Sequence, residues 1–209
     1  MTDSDKKNSV AIVDYGMGNI ASVRNMIKKI GGNSIFTSNK DEIFKSERII
    51  LPGVGAFDAG MSALKSSGLD EVLVSAADNG SNILGICLGF QLLFNSSEEG
   101  KLSGLGLVNG KVKKFNNTSL RVPHMGWNII KATSNSILFD KDNNRDQRFY
   151  FVHSYFAECE DISDISATCF YGDDFTCAVE KQNILGVQFH PEKSHKFGME
   201  LLKRYLYAN

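Results

Sequence analysis

The sequence of 209 residues has little of several features that would assign it to a specialised class of protein. Its formal net charge at pH 7 is −1, so no excess of charge indicates nucleic acid or an anionic membrane as a partner. It has no apolar run long enough to span a bilayer and no apolar signal segment, so we expect a cytoplasmic protein without a membrane partner. The polar residues 1–8 are expected to be a flexible leader.

Cysteine is also scarce. The sequence has four cysteines, and no two of them form a C-x-x-C pair, so zinc sites and dithiol redox motifs are not indicated. In a reducing compartment we expect no disulfides. We interpret Cys159, Cys169 and Cys177 as buried or half-buried structural residues. No metal site and no cofactor is predicted.

What the sequence does contain is the composition of a folded domain, with 42% hydrophobic and 22% charged residues. In the first half, apolar runs alternate with segments of helical periodicity. This alternation predicts an α/β fold whose central, mostly parallel sheet is flanked by helices. We treat residues 1–209 as a single domain. The predicted strands of this half cover residues 10–13, 34–37, 48–51 and 83–86, and the predicted helices cover 20–30 and 57–79 with a break at Gly68.

The second half is richer in strand-like segments. Strands are predicted over residues 148–152 and 184–189, and a closing helix over 199–207. The turns predicted from composition are Asn109-Gly110, Asn116-Asn117 and Gly172-Asp173-Asp174.

Cys87 lies where chemistry is to be expected in such a fold. It follows a predicted buried strand, in the turn Gly85-Ile86-Cys87-Leu88-Gly89, and a helix-like segment follows it. This is the layout of a nucleophile elbow, in which glycines allow a sharp turn that exposes the central side chain. A thiol at a helix N-terminus, with a base nearby, becomes a thiolate that can attack a carbonyl carbon.

The base should be a histidine that is near in space, and His190 is the best of four candidates. It lies at the carboxyl end of a predicted strand, in His190-Pro191-Glu192. Side chains at i and i+2 of an extended segment point the same way, so Glu192 can orient the imidazole and support its protonated form. Alone, Cys87 and His190 would each more often be a structural residue, and His195 is interpreted as solvated.

Acyl transfer also needs donors for an oxyanion. We predict the backbone N–H of Leu88 as one donor, and the turn Pro52-Gly53-Val54-Gly55 as the source of the other, through Gly53 and Val54. The carboxyl ends of parallel strands meet at one edge of a sheet, so this turn, the elbow and His190 could converge there.

These motifs together resemble those of the class I (triad) glutamine amidotransferases, and most of all the glutaminase subunits of imidazole glycerol phosphate synthase. Each motif alone is a weak signal, but in combination they are specific. The runs that carry the resemblance span nearly the whole chain: Asp14 to Asn19, Pro52 to Phe57, Gly85 to Gln91, Pro123 to Asn128, Phe151 to Tyr155 and Gly186 to Ser194.

The resemblance implies a flavodoxin-like amidotransferase fold and an activity. Glutamine would be hydrolysed to glutamate and ammonia through a thioester on Cys87. Ammonia would pass, shielded from water, to a (β/α)8-barrel cyclase partner in a heterodimer for histidine biosynthesis. Glutamine would be held by Gly55, Gln91, Ser154 and Tyr155.

The resemblance also implies which surface faces the partner. The partner-facing residues would be Asn19, Pro123, Met125, Trp127, Tyr155 and Lys193. The single tryptophan, Trp127, fits an interface anchor, with a core aromatic as the alternative. His124 and His153 would be positioning or interface residues, not the base.

Three other functions stay open from the sequence. A homologous glutaminase could supply ammonia to an amidotransferase that modifies a cell-surface sugar. A non-catalytic regulatory or scaffold subunit is a second alternative, which the intact triad argues against. A cysteine peptidase or γ-glutamyl hydrolase is a third, and it leaves the Pro123 to Asn128 run without a purpose.

Overall fold

The computed structural model describes residues 9–116, 120–140 and 146–207. The predicted leader at 1–8 and Asn117 of a predicted turn lie outside these ranges. The strands, in chain order, are β1 Ser9–Val13, β2 Asn33–Thr37, β3 Arg48–Gly53, β4 Asn82–Cys87, β5 Phe94–Ser97, β6 Val108–Lys114, β7 His124–Ala132, β8 Gln147–His153, β9 Tyr155–Cys159, β10 Ile165–Tyr171, β11 Asp173–Lys181 and β12 Ile184–Val187. The helices are α1 Ile20–Lys29, α2 Lys40–Phe44, α3 Phe57–Ser67, α4 Leu69–Asp78, α5 Leu88–Leu92 and α6 His195–Tyr207.

One sheet with a parallel half and an antiparallel half organises the chain. Its main path runs β2-β1-β3-β4-β12-β11-β10-β7-β8. The pairs from β2 to β12 are parallel, and those from β12 to β8 are antiparallel. The predicted fold class, a mostly parallel central sheet with a β-rich second half, is confirmed.

Helices cover both faces of the parallel half, because each presents an apolar stripe to the sheet. Helices α1 and α6 pack on one face, where Ile27 and Leu202 are fully buried. Helices α3 and α4 pack on the other, with Leu64 and Leu73. Gly68 has φ 65° and separates α3 from α4, as the sequence predicted. Among the described helices, none is long and apolar enough to cross a membrane.

The prediction of a turn at Asn109-Gly110 was wrong. Both residues lie inside β6, where Gly110 has φ 141° and pairs with Cys159. A side chain at Gly110 would overlap the Glu158 carbonyl oxygen. The glycine is therefore needed for close approach of two strands and not for a chain reversal. The predicted reversal at Gly172 is confirmed, because it joins β10 directly to β11.

Candidate active site

Cys87 ends β4 in a backbone conformation that L-amino acids seldom adopt, with φ 57° and ψ −108°. Its two neighbouring glycines leave room for the turn. A Cβ atom on Gly85 would lie 2.7 Å from the Gly89 carbonyl oxygen, and one on Gly89 would overlap the Leu51 carbonyl oxygen. Cys87 as a whole residue is 8% exposed. A strained strand-to-helix elbow of this kind presents a nucleophile to a cavity.

His190 follows β12, the strand beside β4, and is 1% exposed. Its Nδ1–H donates to Glu192 Oε1 over 2.8 Å. This bond leaves Nε2 as the ring nitrogen that can act on Cys87, which lines the same cavity. Backbone bonds fix the segment, because His190 N–H donates to the Tyr150 carbonyl and the Ser194 hydroxyl donates to the His190 carbonyl.

The environment of His190 favours its charged form. Burial on its own lowers the pKa of the imidazole, but Cys87 and Glu192 outweigh it and raise the pKa of His190 to about 9. The imidazolium is therefore present at neutral pH, and it can form an ion pair with a thiolate on Cys87.

The predicted oxyanion turn lies beside the nucleophile. Gly53 pairs with Cys87 in the register of β3 and β4, and Val54 and Leu88 line the same cavity as the thiol. A Cβ atom on Gly53 would lie 2.5 Å from Tyr15 Oη. The Tyr15 hydroxyl donates to the Pro52 carbonyl over 2.6 Å. Burial and the nearby Cys87 raise the pKa of Tyr15, which keeps it a donor that supports the turn.

A cavity of about 330 Å³ opens over the thiol. All four residues predicted to hold glutamine line it, namely Gly55, Gln91, Ser154 and Tyr155. The Gln91 side-chain amide donates to the Tyr155 carbonyl over 3.3 Å. The structure therefore brings together the residues predicted to form the triad, the oxyanion turn and the glutamine site, which are far apart in the chain.

Two further residues of this site were missed in the sequence. The Gln188 amide accepts from Gln91 over 2.9 Å, and its Nε2 lies 3.9 Å from Cys87 Sγ. Glu99 lines the cavity and accepts the N–H of Phe57 over 2.8 Å. Gln188 lies two residues before His190, a position on the same strand end that could have drawn attention to it. No sequence signal marks Glu99.

Five of the six residues predicted to face a partner are exposed. Met125 and Trp127, on one face of β7, are 62% and 48% exposed, so the alternative of a core tryptophan was wrong. Trp127 stacks on His195, which the sequence interpretation left simply solvated. The remaining exposed members of the set are Asn19, Pro123 and Lys193.

Tyr155, the sixth residue predicted to face the partner, is half-buried and lines the cavity. Its carbonyl binds Gln91 beside the cavity, whereas Tyr150 is the tyrosine that packs against Trp127, with ring centroids 6.2 Å apart. Lys193 Nζ lies 5.7 Å from the same Tyr150 ring. Both placements of Tyr155 expected from the sequence, beside the glutamine pocket and toward the partner, stay predictions.

A model of the family described as "Glutamine amidotransferase class-I" matches residues 11–208 of the chain. The chain belongs to this family. Among curated relatives, this amidotransferase is 51% identical over 199 residues to imidazole glycerol phosphate synthase subunit HisH 2 of Methanococcus maripaludis, covering 94% of this chain and 98% of the relative. It is 45% identical to subunit HisH of Leptospira borgpetersenii, with the same two coverages. The family predicted from the sequence is confirmed.

Solved structures show the same fold at low sequence identity. A crystal structure of a glutamine amidotransferase superposes with TM-score 0.74 at 16% identity, covering 94% of this amidotransferase and 96% of that chain. The PurLQS structure from Thermotoga maritima gives TM-score 0.72 at 19% identity, with coverages of 95% and 97%.

The charged state of His190 can be tested by titration. We expect the imidazole to lose its proton near pH 9 in the wild-type amidotransferase, so the imidazolium is present below that pH and lost above it. Glu192→Gln and Cys87→Ala each remove a group that raises the pKa, so both should lower the midpoint. Imidazole ¹⁵N NMR measures the midpoint of the His190 titration, and His195→Gln is the control variant. A wild-type midpoint at or below the ordinary histidine value of about 6.5 contradicts the ion pair.

Proposed function

We propose that Cys87, His190 and Glu192 of this chain, a HisH-type glutaminase subunit of imidazole glycerol phosphate synthase, form the triad that hydrolyses glutamine. The observation that carries the proposal is the strained Cys87 elbow, which shares one cavity with the imidazole of His190. Glu192 holds the other ring nitrogen. A nucleophile, a base and an orienting carboxylate in these positions suit acyl transfer.

The chemistry proceeds in two halves. The Cys87 thiolate attacks the side-chain amide carbon of glutamine, and the N–H groups of Val54 and Leu88 stabilise the oxyanion. His190 gives its proton to the amide nitrogen, the C–N bond breaks, ammonia leaves and a γ-glutamyl thioester remains. His190 then takes a proton from water, whose oxygen attacks the thioester. The C–S bond breaks, the new carboxyl group loses its proton to water as glutamate leaves, and the Cys87 thiolate and His190 imidazolium are restored.

The cavity supports glutamine as the substrate. Gly55, Gln91, Ser154 and Tyr155 surround the space next to the thiol and are proposed to hold the substrate. The Glu99 carboxylate lies at the same cavity, where it can pair with the α-ammonium group of an amino acid.

The exposed surface around Trp127 is proposed to receive a (β/α)8-barrel cyclase partner in a heterodimer. Pro123 both lines the cavity and lies on this exposed segment, so a partner there would sit next to the released ammonia. Met125, Lys193 and Asn19 extend the same proposed surface. Shielded transfer matters because ammonia in water at neutral pH is mostly protonated and loses its nucleophilicity.

The relatives favour one ammonia acceptor over the other. Both curated relatives described above carry the name of imidazole glycerol phosphate synthase. That name favours histidine biosynthesis over the alternative in which ammonia modifies a cell-surface sugar.

The coupling to a partner is tested by measuring glutamine hydrolysis alone and with the cyclase and its nucleotide ligand. We expect the complex to hydrolyse glutamine much faster than the isolated chain.

Trp127→Ala should weaken cyclase binding by at least about tenfold, as expected for an interface anchor. Ile162→Ala, a change at a residue that is 81% exposed beyond β9, should have no effect. Full activity of the isolated chain, or equal effects of the two variants, contradicts the proposed coupling.

A further inference from the structure

Two buried histidines beside the proposed glutamine pocket take no part in the mechanism above. His124 opens β7 and His153 ends β8, and the two residues are direct neighbours in the antiparallel register. They are 3% and 6% exposed. Buried polar side chains cost stability unless they are hydrogen-bonded, so their partners show what the pair does.

The donor and acceptor roles in this pair follow from the bond that His153 forms with Tyr155, next to the proposed glutamine pocket. The Tyr155 carbonyl can only accept, so His153 Nδ1 carries the proton that it donates over 2.7 Å. In a neutral ring His153 Nε2 is then an acceptor, and it receives the Nδ1–H of His124 over 2.9 Å. Both rings are therefore Nδ1–H tautomers, and His124 Nε2 accepts from the Asn128 amide over 3.2 Å.

The far end of the chain of bonds is fixed as well. Asn128 Nδ2 also donates to the Phe170 carbonyl over 2.9 Å, and Asn128 Oδ1 accepts the N–H of Ile129 over 2.8 Å. These two bonds determine the orientation of the amide, so Nδ2 faces His124. Each hydrogen bond in the series from Asn128 through His124 and His153 to the Tyr155 carbonyl therefore has a fixed donor and a fixed acceptor.

The pair stays neutral, as this arrangement requires. Burial lowers the pKa of His124 to about 4. Burial also lowers the pKa of His153 to about 3, although its bond to the Tyr155 carbonyl opposes the shift. A proton added to His153 would direct two N–H groups at each other across the pair.

The Tyr155 carbonyl is held from two sides. It accepts from His153 on the β8 side and from Gln91 on the α5 side. Gln91 in turn donates to Gln188, whose amide is adjacent to Cys87 Sγ. The position of this peptide therefore depends on His153, and His153 depends on His124 for the hydrogen-bond partner of its Nε2.

We propose that His124 and His153 are positioning residues, whose mutual hydrogen bond holds the Ser154–Tyr155 segment where glutamine binds. The proposal rests on the proposed glutamine site. If the bond from His124 is lost, His153 Nε2 becomes a buried acceptor without a partner. Because an unpaired buried acceptor is costly, the ring can shift to bring Nε2 to water, and that movement weakens its bond to the Tyr155 carbonyl.

Two variants at His124 separate hydrogen bonding from packing, because His124 also stacks on Phe151 and Tyr171. His124→Phe keeps a ring and removes the donor. His124→Asn keeps an N–H near the Nδ1 position and removes the ring. Glutaminase kinetics in the complex with the cyclase should show KM for glutamine raised by about tenfold in His124→Phe, and by less than about threefold in His124→Asn, with kcat changed far less than KM in both.

The rate at which iodoacetamide alkylates Cys87 is the second measurement, and it should be unchanged in both variants because the triad is intact. A wild-type KM in His124→Phe, or a KM raised as much in His124→Asn, overturns the proposal, as does an alkylation rate that falls with activity. If either variant does not fold, His153→Asn, which keeps the donor to Tyr155, and His153→Leu, which removes it, repeat the comparison. A wild-type complex without glutaminase activity would instead overturn the proposed function.

Discussion

Replacing Cys87 by alanine is expected to abolish glutamine-dependent synthesis in the complex, with a loss of at least about 10³-fold. The loss should be this large because no other described thiol lines the cavity. Synthesis from added ammonium salts should persist, since the cyclase and its route for ammonia remain. The measurement is product formation with glutamine or with ammonium as the nitrogen source.

Cys159→Ala is the matched control for this prediction. Burial raises the pKa of Cys159 to about 12, so its thiol stays protonated and unreactive at neutral pH. The control variant should keep wild-type synthesis from glutamine. Mass spectrometry after brief iodoacetamide treatment should find the label on Cys87 and not on Cys159. Glutamine-dependent synthesis that survives Cys87→Ala would show that Cys87 is not the nucleophile.

Replacing Gly89 by alanine is expected to destabilise the fold by at least about 3 kcal/mol, at the upper end of the cost of overpacking. Gly89 lies within α5, and its backbone has no positive φ, so alanine suits the local conformation. The cost comes only from the overlap of the new methyl group with the Leu51 carbonyl oxygen of β3. The backbone of a central strand cannot move away without breaking its register with β4.

Gly80→Ala is the opposite case and the control. Gly80 has φ 89°, and a Cβ atom there meets nothing within 4 Å. Its cost is backbone strain alone, about 1–2 kcal/mol. The free energies of unfolding, measured by urea denaturation, should rank wild type above Gly80→Ala and Gly80→Ala above Gly89→Ala. A Gly89→Ala protein as stable as Gly80→Ala would contradict this prediction, because it would mean that the backbone around Gly89 can shift away from the Leu51 carbonyl oxygen.

The parts of the site that the sequence predicts well are those set by local chemistry. Cys87 could be predicted as a nucleophile because its glycine-flanked turn between a strand and a helix occurs in the same sequence as the His190 motif. His190 and Glu192 follow from the two-residue period of an extended segment. The strand-end rule for parallel sheets then places these residues together without knowledge of the coordinates.

The parts that could not be predicted depend on contacts between distant segments. The dipeptide Asn109-Gly110 is typical of a turn, but the close approach of β9 determines the conformation of Gly110. Tyr150 and Tyr155 are five residues apart in similar aromatic runs, and only the end of β8 at His153 separates their surroundings. Glu99 reaches the cavity from the segment after β5, whose path has no periodic signal.

The position of β12 has a consequence for the newly made chain. Strand β12 pairs with β4 on one side and β11 on the other, and it delivers His190 from the last fifth of the sequence. Pairings between segments so far apart in sequence form late in folding. While the polypeptide is still emerging from the ribosome, Cys87 is already synthesised but has no base beside it. In the proposed mechanism, glutamine cleavage therefore begins only after translation has reached β12 and that strand has entered the sheet.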